Sequence, residues 1–164
     1  MSLKDRSWVP RFDRMGDEAE HIFEQVYPQG KVKYGLSRPP VGLTKVPPFV
    51  RFTPDYLTAK GLVEVQGFGR DQVFKLKHDK YAALDEWNLQ FRVDLFAWDT
   101  TNKRYGFIRL HDFMDAWEEH GFEDAFDGGK NPYMGLHASF LPVDQWVAYT
   151  PSATPEATPE GMTR

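Results

Sequence analysis

The chain has 164 residues, enough for one domain with a real core, and it contains no cysteine, so a disulfide framework, a thiol nucleophile and a Cys-ligated metal site are all excluded. Hydrophobic residues make up 41% and aromatics 15%, which excludes wholesale disorder, and no apolar run approaches the roughly 20 residues of a membrane span. Net charge is −4, on its face an argument against a nucleic-acid partner, because such domains are usually basic.

The N-terminal residues 1–14 are polar and of mixed charge rather than signal-like, and the expected location is the cytoplasm, that of a host if the chain is phage-encoded. Residues 16–27 predict a helix, with acids in the first turn and Ala19, Ile22, Phe23 and Val26 at helical spacing. Pro28 and Gly30 end it. From there to Pro48 the chain is rich in Gly and Pro and holds no acid, which predicts a long irregular loop or short hairpin carrying Lys31, Lys33, Arg38 and Lys45.

Residues 49–53 predict a short strand, followed by the turn pair Pro54-Asp55. Residues 61–66 alternate clearly, Val63 and Val65 on one face and Leu62, Glu64 and Gln66 on the other. A turn over 67–71 leads to a second alternating run over 72–77, and the two runs predict a hairpin. Residues 78–87 predict a helix with Asp79 as its N-cap and Tyr81, Leu84 and Trp87 on one face. Residues 91–98 form the strongest strand pattern, and 105–110 predicts its partner across the turn at 99–103. A helix follows over 111–120 with Gly121 as its C-cap, then a turn at 128–132 and a short strand over 139–141. Residues 1–149 thus predict a single α/β domain around a mixed sheet, and the Thr, Pro and Glu of 150–164 predict a disordered tail.

The charges are unevenly distributed. Residues 28–80 carry ten basic side chains against four acidic ones, whereas 99–164 carry eleven acids against five bases. The average therefore conceals an electropositive half suited to a polyanion. The five histidines have no paired metal-ligand spacing, and neither a Gly-x-Ser-x-Gly elbow nor a phosphate-cradling Gly-rich loop is present, so acyl hydrolase and nucleotide kinase readings fall.

The most informative stretch is Pro54-Asp55 followed by Glu64-Val65-Gln66 within RFTPDYLTAKGLVEVQGFGR. Strand alternation puts Glu64 and Gln66 on one side, and the short connection folds Asp55 back toward it, so two hard oxygen ligands converge with the Val65 carbonyl as a third. The pattern, with its flanking helix and strands over residues 14–110, resembles the PD-(D/E)XK nuclease superfamily, the restriction-endonuclease-like fold that includes Holliday-junction resolvases and phage exonucleases. The resemblance implies a restriction-endonuclease-like core with a central mixed β-sheet flanked by helices. It implies that Asp55, Glu64 and the Val65 carbonyl bind Mg²⁺ or Mn²⁺, and that the activity is metal-dependent hydrolysis of DNA phosphodiesters, with a structure-selective, resolvase-like endonuclease as the leading subtype. Gly16 and Glu20 are similar to the glycine and glutamate that open the fold in that branch, with Glu20 an auxiliary acid. Gln66 stands where the family most often has lysine and is read as a water or phosphate positioner. A neighbouring lysine restores the cation: Lys75, Lys77 and Lys80 are candidates and Lys77 is favoured. Lys31, Lys33, Arg38 and Lys45 are expected to hold the DNA backbone, with Tyr34 and Phe68 touching bases, and a homodimer is the expectation for cutting two strands. The alternative from another class is a catalytically inactive nucleic-acid-binding or protein-interaction module on the same fold.

Overall fold

A computed structural model describes residues 9–27, 30–35, 46–126 and 128–151. Helix α1 (Val9–Val26) begins well before the predicted start. Pro10 lies in its first turn, where the missing N–H has no intrahelical partner to lose, and Gly16 is carried inside the helix at an exposed position for about 1 kcal/mol. Glu20 is therefore a mid-helix residue rather than an acid of the first turn.

Strands β1 (Lys31–Lys33), β2 (Tyr56–Thr58) and β3 (Gly61–Phe68) form an antiparallel ladder in which Val32 faces Leu57 and Tyr56 faces Val63. β3 then pairs in parallel with β5 (Val93–Asp99), and β5 forms the predicted hairpin with β6 (Arg104–Arg109). A short β9 (Val147–Ala148) completes a six-stranded mixed sheet of order β1-β2-β3-β5-β6-β9. The predicted hairpin between residues 61–66 and 72–77 does not form. β4 (Val73–Lys77) instead joins β8 (Asn131–His137) and β7 (Phe122–Phe126) in a second, three-stranded sheet of order β4-β8-β7. The physical reason is that β3 spends both its edges on β2 and β5, while Phe74 and Leu76 of β4 bury against the far side of the main sheet.

Helices α3 (His78–Asn88) and α4 (Leu110–His120) match the predicted ones within a residue or two. Lys77, not Asp79, is the N-cap of α3, and no side chain caps it. Gly121 follows α4 with φ −79°, so it is not a left-handed cap. The predicted strand at 49–53 is a helical turn, α2 (Pro48–Arg51), because Pro47 and Pro48 preset the first turn and Phe49 stacks on Trp87 at 4.3 Å while its carbonyl accepts from Trp87 Nε1. Residues 138–140 form a 3₁₀ turn rather than a strand.

One face of the main sheet buries Val63, Val65, Phe96 and Trp98 under Ala19, Ile22 and Phe23 of α1. The other face packs Leu62, Leu95, Ala97 and Ile108 against Leu84 of α3, Phe113 of α4 and Phe74, Met134 and Leu136 of the second sheet. All seven residues of β5 are buried, as a strand covered on both faces must be. The expected α/β architecture with a central mixed sheet flanked by helices holds. Among the described residues, no helix is long and apolar enough to cross a membrane.

The β2–β3 turn sets the register that later positions the site. Gly61 has φ +138°, and a Cβ there would lie 2.4 Å from the Arg92 carbonyl oxygen. Gly61→Ala is expected to lower stability by about 1–3 kcal/mol in urea denaturation, and an unchanged midpoint would contradict this account of the turn.

Candidate active site

The site begins where the β2–β3 ladder stops. Extending the register of Tyr56 against Val63 places Asp55 opposite Glu64 and Pro54 opposite Val65. Proline has no N–H, so it cannot complete the exchange of hydrogen bonds that the ladder requires. The Asp55 carboxylate takes over: its Oδ2 accepts from the Val65 N–H at 2.8 Å. In a strand the N–H and C=O of one residue point to the same edge, so the Val65 carbonyl faces the Asp55 side with no ladder donor opposite it. The backbone of Asp55 is itself fixed, its carbonyl accepting from Tyr34 N at 2.8 Å and Gly35 N at 3.1 Å. A Cβ on Gly35 would sit 2.9 Å from both the Thr53 and Pro54 carbonyl oxygens, so glycine is what lets the β1 extension approach this closely.

Glu64 alternates out of the α1 face and is 1% exposed. Its Oε1 receives Lys80 Nζ in an ion pair across the start of α3. Lys80 reaches it because it shares the inward stripe of α3 with the buried Ala83 and Leu84 and the partly buried Trp87. Among the described residues there is no group of three or more His, Asp or Glu side chains poised on a metal. The donor set is two carboxylates and a strand carbonyl, which suits a hard cation such as Mg²⁺ that keeps several waters and binds through one or two carboxylates plus substrate phosphate.

The electrostatics of the three groups are coupled. Burial pushes the Glu64 carboxyl up to about 8, the facing Asp55 carboxylate adds to the rise, and Lys80 opposes it. Burial also raises Asp55, against the pull of Lys80 and the Val65 N–H. Lys80 is held in its charged form: burial works against the ammonium, but Glu64 and Asp55 more than offset it.

Around this centre lies a cleft of about 1290 Å³ whose walls include Glu20, Gln66, Lys77 and Lys80 as well as Asp55 and Glu64. Glu20 reaches it from α1 and raises Asp55 further by its charge, while its Oε2 accepts from Lys33 Nζ at 2.6 Å. Gln66, half-buried beside Glu64, approaches the Gly67 carbonyl at 3.5 Å. Lys77 is exposed on the cleft wall, and it is Lys80 that pairs with Glu64. The pattern that could have singled out Lys80 is its place three and four residues before the buried Ala83 and Leu84. Lys31 donates to the Glu24 and Tyr27 carbonyls at the end of α1, so that lysine is engaged locally. Arg38 and Lys45 lie outside the described residues. Phe68 is 2% exposed, its ring packed between Phe74 and Trp146 in the core rather than displayed on a turn; Tyr34 remains exposed beside Trp87.

The raised Glu64 carboxyl has a consequence for stability. Between its ordinary value near 4.5 and about 8 the folded chain binds the proton more tightly than the unfolded one, so this group's contribution is full at low pH and is lost as pH rises through about 8. Glu64→Gln keeps the shape and removes the titration. The melting temperature of that variant relative to wild type is expected to climb from about pH 5 to about pH 8; a difference independent of pH would contradict the assignment.

No protein-family model and no curated protein matches the chain. Among solved structures, a nuclease from a fusselovirus is similar over 84% of this chain and 88% of its own, at 9% identity and a TM-score of 0.46. A likeness of that size carries no functional weight.

Proposed function

We propose that the cleft is the active site of a metal-dependent nuclease that hydrolyses DNA phosphodiesters on a restriction-endonuclease-like core. The reading rests on one observation above all: the buried Glu64 carboxylate and the half-buried Asp55 carboxylate converge beside a strand carbonyl without a ladder partner and a lysine held charged. Asp55, Glu64 and the Val65 carbonyl would hold Mg²⁺ or Mn²⁺. When bound, such an ion polarises the scissile phosphate and lowers the pKa of an attacking water.

The chain's own groups do the rest. A phosphate oxygen entering the cleft competes with Glu64 for Lys80, and the ammonium supplies the positive charge that Gln66 cannot. Gln66, on the same face as Glu64, offers an amide to orient the attacking water. The water oxygen gives up a proton to solvent as it bonds to phosphorus, the bridging P–O bond breaks, and the leaving oxygen takes up a proton from solvent, so that one water is divided between a phosphate end and a hydroxyl end. Glu20 keeps Lys33 at the rim, where the pair feels the charge of Asp55. A resolvase-like preference for branched DNA and a homodimer that cuts two strands are the finer parts of this proposal. The non-catalytic binding module remains the competing reading, and the position of Lys80 favours the catalytic one.

Cleavage of labelled linear, nicked and four-way branched DNA in Mg²⁺, Mn²⁺ or EDTA tests the proposal. Wild type is expected to cut with either ion and not in EDTA, and Asp55→Asn, Glu64→Gln and Lys80→Met are each expected to lose about 10²–10³ in rate. Because an ion must displace the proton held by the carboxyl pair, the rate at limiting Mg²⁺ is expected to rise with pH toward about 8. Equal behaviour of wild type and the Asp55→Asn/Glu64→Gln double variant on every substrate would overturn the reading.

A further inference from the structure

The cleft carries two features that the hydrolytic centre does not use. First, its cations divide into two sets. Lys75 pairs with Asp71 at 2.5 Å, Lys103 with Glu18 at 2.8 Å and Lys80 with Glu64, whereas Arg51, Arg70 and Lys77 have no carboxylate within ion-pair distance among the described residues. These three come from different elements, the end of α2, the β3–β4 connection and the end of β4, and all are exposed. Second, two aromatic rings on separate walls, Phe52 after α2 and Phe126 at the end of β7, line the same cleft and stay half-exposed, Phe126 while also packing on Tyr133 at 4.4 Å with Lys75 Nζ 5.9 Å from its ring centre. The Arg51 guanidinium lies 5.4 Å from the centre of the Phe52 ring.

We infer that this cleft takes an unpaired polynucleotide strand, with its phosphates along Arg51, Arg70 and Lys77 and its bases against Phe52 and Phe126. The inference rests on the nuclease reading above and narrows its substrate to ends, flaps and splayed branches. Free cations around a concave wall answer a chain of phosphates. Half-exposed aromatic rings answer a base with a free face, and only an unstacked base has one; a duplex keeps its base faces inside the stack.

Binding is measured in EDTA, which silences cleavage, by fluorescence anisotropy of a labelled strand of about 20 nucleotides, as DNA and as RNA, against the matched duplex. Either strand is expected to bind about tenfold or more tighter than its duplex. The triple variant Arg51→Ser/Arg70→Ser/Lys77→Ser is expected to weaken strand binding at least about tenfold and to flatten the slope of log affinity against log salt by about 2, since each phosphate contact contributes about 0.7 on single strands. Phe126→Leu keeps apolar bulk and removes the ring, and is expected to weaken strand binding about fivefold or more while changing duplex binding less than about twofold. Duplex binding equal to or tighter than strand binding would overturn the inference, as would variants that bind like wild type. The two readings fail separately: strand binding with no cleavage in Mg²⁺ or Mn²⁺ sinks the nuclease proposal alone, and cleavage by a protein that prefers duplex sinks this one alone.

Discussion

A missing N–H organises this molecule's cleft. Pro54 stands where the β2–β3 ladder needs a donor, and the ladder ends there. Asp55 turns its carboxylate onto the Val65 N–H in compensation, which fixes the acid beside Glu64 and leaves the Val65 carbonyl facing the same space. The Asp55 carboxylate and the Val65 carbonyl are thus brought together by one interrupted hydrogen-bond pattern, and strand alternation sets Glu64 beside them. The parallel pairing of β3 with β5 anchors the other side of Glu64, where Leu95 lies opposite it in a strand buried on both faces.

Burying Glu64 beside the half-buried Asp55 is costly, and the structure meets that cost in two ways. Lys80 sits charged against Glu64, and the Glu64 carboxyl is pushed up to about 8, so the pair of acids carries less than its full charge at neutral pH. In the proposed nuclease reading such a pair exchanges a proton for a divalent cation. By contrast Asp99, as fully buried, is a structural carboxylate: hydrogen bonds from Gln72, Asn102 and Arg104 outweigh its burial and lower it, and they tie the β3–β4 connection to the β5–β6 turn. Two buried acids in one fold are separated in role by whether their neighbours satisfy the charge or leave it contested.

Local pattern made much of this readable and tertiary pairing hid the rest. The alternation of residues 61–66, the run ending in Trp98 and the two later helices are written in hydrophobic periodicity, which a strand or helix cannot avoid showing. Periodicity names no partner, however, so β4 looked like the mate of β3 although it belongs to another sheet. Phe68 between two glycines looked like a turn, while in the fold it is a core residue at the end of β3. Asp55 and Glu64 were legible because the Pro-Asp step and the strand spacing are local. Lys80 was harder to choose over Lys77, because its role depends on which face of α3 turns inward, and that is decided by the packing of Ala83 and Leu84 against a sheet distant in sequence.

On the proposed nuclease reading, Asp55 and Glu64 form a carboxyl pair, partly protonated at neutral pH, that receives a divalent cation. Calorimetric titration of the protein with Mn²⁺ in two buffers of different ionisation heat tests it most directly, because it reads ion binding and proton release together. The account predicts saturable binding with net proton release near neutral pH, both abolished by Asp55→Asn. Absence of binding to the wild type, or binding that the Asp55→Asn variant retains with the same proton release, would contradict it.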